Sequence, residues 1–257
     1  RPLYRASKYQ ISGQAAVMPL SVPEILLSIA IIAAGATLQG SVGFGMALVA
    51  APLLALIEPR FIPGALITSA LVLNPLVLRR ERVALDVRGL QISIAGLLVG
   101  TLAAALIVAR ISERDFAIVF AVMVLLAVVM SAIGWKLEPT RPAVLGAALL
   151  GGFMGTIAGI NGPPMALVYQ GARAERLRST LAGFFIAAAL LSLGSLIIIG
   201  RYGLTELMFS LVLAPGVVIG FLISSRIAPH LRGGKVRPLV LLVSAVSAAA
   251  VLIRYLL

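Results

Sequence analysis

Eight apolar segments divide the chain: 20–57, 61–78, 89–109, 116–135, 142–171, 180–199, 204–225 and 237–256. Apolar residues run continuously inside them instead of alternating, which predicts helices and argues against a membrane β-barrel. Most approach the ~20 residues that a helix needs to cross ~30 Å of hydrocarbon. The breaks between them are short, polar and mostly basic: RRERVALDVR, ARISERD, WKLEPTRP, GARAERLRS, RYGLTE and SSRIAPHLRGGKVR. Two segments depart from the plain pattern. Segment 20–57 would make a helix of ~57 Å at 1.5 Å per residue, too long for one upright span. Segment 142–171 contains GINGPPMALVY, Gly159 to Tyr169, whose glycines and paired prolines are poor material for a helix interior.

Composition places these segments in a bilayer. Of 257 residues, 61% are hydrophobic and 12% charged, and the mean hydropathy is +1.11. An ordinary soluble domain is about half apolar and a quarter charged. The prediction is an all-α polytopic integral membrane protein. The net charge of +12 lies mostly in the short breaks, as expected for Lys and Arg that flank spans and meet anionic lipid. No basic–aromatic pattern points to nucleic acid. Trp135, Tyr169, Tyr202 and Tyr255 lie close to breaks and read as interfacial aromatics. Residues 1–19 form a polar amino-terminal segment without the long apolar core of a clear signal peptide. Cysteine is absent and His230 is the only histidine; neither a metal site nor a cofactor is expected. Without HExxH, GxSxG or paired carboxylates, enzyme readings have little support.

The chain repeats itself. GSVGFGMALVA from Gly40 lies over GINGPPMALVY from Gly159, so that Gly40 meets Gly159, Gly43 meets Gly162 and MALV meets MALV. Further on Gly64 meets Gly183, and GLLVG from Gly96 matches GVVIG from Gly216 with the register moved by one residue. This predicts two repeats, 20–136 and 137–257, each with a broken or re-entrant first segment followed by three ordinary ones. The GxxxG pairs Gly96/Gly100 and Gly216/Gly220 read first as helix packing and equally as faces for a homodimer. The same spacing joins Gly151, Gly155 and Gly159.

Charge bears on topology. If every segment crosses once, Lys and Arg divide almost evenly between the two sides, against the usual asymmetry. If the two broken segments turn back, the loops 79–88, 173–178 and 226–237 fall on one side with Lys136 and Arg141. That side is expected to be cytoplasmic, and the halves inverted, a plan known from transporters.

A break at membrane depth is tolerated where it is buried in protein or lines a wet cavity. One half-helix is expected to start near Gly45 and run through MALVAAPLLAL, the other at Pro163 or Pro164 and run through MALVYQ. Their free N–H groups and positive dipole ends would attract a small anion. Neutral hydrogen-bonding side chains stand nearby: Gln39 and Ser41 in one half, Thr156 and Asn161 in the other. The plainer roles are that Asn161 caps its half-helix, Thr156 bonds its own backbone, and Asn74 with Pro75 makes a kink and its cap. No ionisable residue lies away from segment ends, so an anion would be met by amides, neutral donors or rim arginines. Arg79, Arg80, Arg176 and Arg178 are rim candidates, with solvated, lipid-facing positions as their default.

GSVGFGMALVAAPLLAL, GTIAGINGPPMALVY and RAERLRSTLAGFF together resemble the sulfite exporter TauE/SafE family of prokaryotic-type membrane permeases, and the likeness covers nearly the whole chain. The resemblance implies transport of sulfite, sulfonates or related anions across a cell membrane, the inner membrane in such cells. Carried over, it centres binding on Gly40, Gly43, Gly45, Gly159, Asn161, Gly162 and Pro163. Val42, Phe44 and Ile160 interrupt the more continuous glycine runs of many relatives; Phe44 would narrow the site or touch an apolar group on a larger anion. The expected partners are a small anionic substrate and the lipid bilayer. An anion channel built on the same half-helices, and a membrane scaffold that needs the breaks only for packing, remain as other classes.

Overall fold

A computed structural model describes residues 20–81, 85–133, 137–231 and 237–256. The polar segment 1–19, Trp135 and Lys136 lie outside the described residues. Among the described residues ten α-helices follow one another: α1 Val22–Val42, α2 Met46–Ile57, α3 Gly64–Glu81, α4 Val87–Val108, α5 Glu113–Ile133, α6 Arg141–Ala158, α7 Gly162–Tyr169, α8 Ala174–Ile198, α9 Leu204–Leu231 and α10 Arg237–Leu256. A short 3-10 turn, Pro59–Phe61, separates α2 from α3. Seven helices are long and apolar enough to cross a membrane: α1, α4, α5, α6, α8, and most of α9 and α10. Helix α3 ends on the charged run Arg79–Glu81, while α2 and α7, with 12 and 8 residues, are too short to cross. The chain is a polytopic α-helical membrane protein. Its outer faces carry large apolar side chains such as Leu102, Leu106, Val129, Leu222 and Leu242, as a lipid-facing surface requires.

Both long segments are broken, and the local chemistry says where. Helix α1 opens at Ser21, whose N–H and hydroxyl both donate to the Glu24 carboxylate at 2.7 Å, with Pro23 in the first turn. It closes on Gly43, left-handed at φ +106, whose N–H reaches the Gln39 carbonyl at 2.7 Å. Helix α6 opens on Thr140 and closes on Gly159, also left-handed at φ +72, with its N–H on the Gly155 carbonyl at 2.8 Å. Three residues later α2 and α7 begin.

Contacts between helices fix their directions. Ile29 faces Gly216, Ala33 faces Gly220, and Ser41 bonds Ser224, so α1 and α9 run the same way. Gly64 lies beside Tyr202 and Glu206, and Arg80 bonds Ser224, so α3 joins that set. Gly96 faces Leu145, Gly100 faces Leu149, and Thr156 bonds Ser192, so α4, α6 and α8 share one direction. Glu81 at the end of α3 bonds Arg178 near the start of α8, so this second set opposes the first. The GxxxG glycines are the points of closest approach. A Cβ on Gly96 would lie 2.4 Å from the Leu145 carbonyl oxygen, and one on Gly100 1.9 Å from that of Leu149. On α9 the Cβ positions of Gly216 and Gly220 would both lie 2.4 Å from carbonyl oxygens of α1, those of Ile29 and Ala33. These glycine faces are therefore occupied inside the chain.

The expectation that Tyr169 is an interfacial aromatic is overturned. It is 1% exposed and its hydroxyl donates to Asp86 at 3.0 Å. Tyr202 instead pairs its hydroxyl with that of Thr68 at 2.8 Å.

Gly100→Ala and Gly220→Ala are each expected to lower unfolding stability in detergent by about 1–3 kcal/mol, the usual cost of overpacking. Gly146→Ala on α6, where an added Cβ meets nothing within 4 Å, is expected to be neutral or mildly stabilising. Thermal melts of the three variants check this.

Candidate functional site

The two breaks, more than a hundred residues apart in sequence, meet around one small hollow. Its wall comes from Gln39 of α1, Gly45 with Met46–Leu48 of α2, Ala70 of α3, Gly159–Pro163 at the head of α7, and Phe185 of α8. The cavity measures about 20 Å³, room for roughly one water molecule. No charged side chain lines it.

Hydrogen-bond donors on the α2 side are mostly backbone. The first internal bond of α2 runs from the Val49 N–H to the Gly45 carbonyl at 3.2 Å, which leaves the preceding amides without a helical acceptor. The Met46 N–H is taken by the Gln39 side chain, donating to Oε1 at 3.2 Å. The orientation of that carboxamide is set by a relay. Asn74 Nδ2 donates to the Ala70 carbonyl at 2.8 Å, so Asn74 Oδ1 accepts from Gln39 Nε2 at 3.0 Å, and Gln39 Oε1 must face α2. The amides of Ala47 and Leu48 find no acceptor among the described residues.

The α7 side is built differently. Pro163 and Pro164 occupy its first turn and carry no N–H. Two of the amides that would open the helix are thereby removed. The Asn161 side chain lies against Gly155 and makes no hydrogen bond among the described residues. Asn161 is also a lining residue of the hollow. Pre-existing dipoles of two helices thus point into a space lined by neutral groups.

Of the residues singled out in the sequence, Gln39, Gly45, Gly159, Asn161, Gly162 and Pro163 line the hollow. Five others stand elsewhere. Gly40 packs on Ser224 of α9, and its carbonyl accepts from Arg80. Ser41 donates to the Thr37 and Ser224 carbonyls at 2.7 and 3.0 Å. Gly43 ends α1 against Arg178. Phe44 sits beside Gly162, one layer behind the wall. Thr156 donates to the Gly152 carbonyl at 2.9 Å and pairs with Ser192 at 2.8 Å. Sequence reasoning missed Ala70 and Phe185, which carry no polar signal, and read Asn74 only as a kink cap, although it also holds Gln39.

The rim arginines are not all solvated. Arg178 is 8% exposed, with Nε 3.0 Å from the Glu81 carboxylate and a longer 3.9 Å contact to Glu175. Arg80 pairs with the same Glu81 at 3.3 Å and donates to Ser224 Oγ at 3.1 Å. Arg176 is half exposed and meets Asp86 at 3.0 Å. These cations are engaged with carboxylates and carbonyls at one end of the bundle and do not reach the hollow.

A family model described as sulfite exporter TauE/SafE matches residues 27–251. The chain belongs to the sulfite exporter TauE/SafE family. This is a family of membrane transporters, and the match takes in both breaks and all but the outermost turns of the bundle. No curated protein and no solved structure matches the chain significantly.

Asp86 is a joint between three helices at the end where Arg80 and Arg178 lie. It caps α4 through the Gly89 N–H at 3.0 Å, accepts from Tyr169 of α7, and pairs with Arg176 of α8. Partial burial opposes its charged form, but the Gly89 amide, Arg176 and Tyr169 outweigh that and hold its carboxyl below the ordinary value. A depressed carboxylate contributes stability that is present above its unfolded value and lost as pH falls through its folded one. Acidification below about pH 4 is therefore expected to destabilise the wild type more than Asp86→Asn. At neutral pH that variant is expected to cost about 1–2 kcal/mol, since the exposed Arg176 adds little. Thermal melts as a function of pH for both proteins decide it.

Proposed function

We propose that this protein is a secondary transporter for a small sulfur-containing oxyanion, sulfite in its monoanionic bisulfite form or a small sulfonate, held between the starts of α2 and α7. One observation carries the reading: the starts of two helices from opposite halves line one shared hollow, and the Ala47 and Leu48 amides and the Asn161 carboxamide among its lining residues have no partner among the described residues. Ala47 and Leu48 would donate from one side, Asn161 and the Gly162 amide from the other. With no cation in the wall, a single negative charge suits the site better than two.

In this reading 20–136 and 137–257 are inverted copies that share the site. Support comes from the opposed directions of α1 and α6, the first helix of each copy. It comes also from the matched crossings of α1 with α9 and of α6 with α4, both on GxxxG glycines. The polar contacts support an orientation as well. Arg79, Arg80, Arg88, Arg141, Arg173, Arg176, Arg178 and Arg226 gather at one end against four acids, Glu81, Asp86, Glu138 and Glu175. At the other end Arg60, Arg110, Arg114, Arg201 and Arg254 are matched by as many acids. We assign the first end to the cytoplasm, across a prokaryotic-type inner membrane. The hollow's small volume favours a carrier over an open channel, because loading an anion requires the wall to move.

Flux of labelled sulfite into proteoliposomes tests the assignment. Asn161→Ala and Gly162→Leu are expected to lower saturable flux at least ten-fold, the second because an added side chain would meet Phe44 at 3.0 Å. Gly194→Ala, with open space around it, is expected to match the wild type. Equal flux in all four proteins removes the site, and flux that rises linearly with sulfite turns the reading toward a channel.

A further inference from the structure

The two breaks use different members of a matched pair of glycines. Each half has one glycine at the head of the aligned motif, Gly40 or Gly159, and one three residues later, Gly43 or Gly162. Helix α1 runs through Gly40 and ends on Gly43. Helix α6 ends on Gly159, and Gly162 is already the first residue of α7. Measured on the repeat, the first break stands three residues later than the second, close to one helical turn.

Backbone chemistry decides which half can adopt the other's arrangement. The second half cannot. Shifting its break would put Pro164 where Gly45 stands, at φ +119, and a proline ring fixes φ near −65°. The first half can. Gly40 tolerates the left-handed cap conformation that Gly159 has, and Val42 to Gly45 would take the places of Asn161 to Pro164, none of which has positive φ.

Part of what keeps the last turn of α1 wound is external to it. The Gly40 carbonyl is one of the terminal carbonyls that lack a partner within the helix. Arg80 donates to it and places a cation at the negative end of the helix dipole. Arg80 is itself steadied by Ser224 and Glu81, and Glu81 by Arg178. Ser41 ties the same turn to the Ser224 carbonyl. Inside the helix the turn is closed by the Gly43 N–H on the Gln39 carbonyl, by the Ser41 hydroxyl on the Thr37 carbonyl and by the ladder amides of Ser41 and Val42.

We propose that Gly40–Val42 is a one-sided switch: the last turn of α1, latched by Arg80, unwinds and moves the first break back by three residues, while Pro163 and Pro164 pin the second break. Unwinding adds three residues, roughly 4.5 Å, to the start of α2 on the side of Arg80. It draws Phe44 away from Gly162 and onto α2, and it releases Gly43 from Arg178. One wall of the hollow is rebuilt and the α7 wall is left in place. The switch gives the transport reading its moving part and rests on that reading for its purpose, but the winding itself needs no ligand.

Hydrogen exchange read by mass spectrometry on ligand-free protein in lipid nanodiscs tests it, with peptides across 37–48 and 156–167. Arg80→Gln is expected to speed exchange between Val42 and Met46 at least ten-fold and to leave Gly155–Gly162 unchanged. Equal acceleration of both breaks, or of neither, overturns the proposal. Gly45→Pro provides a second arm, because it copies Pro164 and fits only the unwound arrangement. A folded Gly45→Pro protein with fast exchange at Gly43 is expected, and an unfolded one counts against the switch. Sulfite flux on the same preparations separates the two ideas: the expected exchange without flux sinks the substrate and leaves the switch standing.

Discussion

A peptide N–H or C=O at membrane depth must have a partner, because hydrocarbon offers none. Stopping two helices inside the bundle creates several such groups at once, and most of the architecture answers to them. The left-handed glycines close the last turns of α1 and α6 on themselves. Gln39 covers the Met46 amide, Arg80 covers the Gly40 carbonyl, and the proline pair removes donors from α7 outright. What remains open is confined to a hollow that α3 and α8 close from the sides. The glycine crossings serve the same end. They let α9 lie on α1 and α4 lie on α6 at backbone distance, which holds the two broken helices in place.

The two halves solve this problem with different chemistry on the same plan. At the start of α2 the donors are backbone amides, and their number is trimmed by a side chain, Gln39, that Asn74 holds in place. At the start of α7 the donors are scarce because Pro163 and Pro164 stand where two amides would be, and the Asn161 side chain is the added group. The hollow is therefore lined unequally, with backbone amides at the start of α2 and the Asn161 carboxamide at the start of α7. Prolines in the first turn also stiffen α7, whereas Gly43 and Gly45 leave the entrance to α2 compliant.

Much of this was legible in the residues, and the boundary of legibility is physical. Continuous apolar runs report bilayer solvation, so the spans could be placed, but α8 starts six residues before its segment and α9 runs six beyond, because the helices continue into polar, basic turns that hydropathy does not report. Glycine and proline act through φ and the missing N–H, so the start of α2 was visible near Gly45 and that of α7 at Pro163 or Pro164, one or two residues past its actual first residue, Gly162. The pairing of helices was not, because it depends on which faces meet. Hence Ala70 and Phe185, silent in composition, appear in the wall. Ser41 and Thr156, polar and close in sequence to the breaks, turn instead to Ser224 and Ser192. A hydroxyl on a helix bonds its own preceding turn unless a neighbour competes, and the sequence does not say which neighbour arrives. Arg178 misled for a related reason: an arginine near a segment end usually snorkels to water, but here Glu81, from the other half of the chain, receives it under cover.

The absence of cationic side chains from the wall constrains selectivity. A site that met its ligand with guanidinium groups would hold sulfate and other dianions firmly, and the Coulomb term would dominate. Here the guanidinium groups of Arg80, Arg176 and Arg178 are committed to Glu81, Asp86 and backbone carbonyls at one end of the bundle. The hollow offers amides, one carboxamide and apolar flanks. In the proposed transport role such a wall would discriminate by the number and direction of hydrogen bonds and by size, and would release its ligand without having to break a salt bridge. Weak, geometric capture of a small monoanion suits a carrier, whose site must empty on every cycle; a deep electrostatic well would slow that emptying.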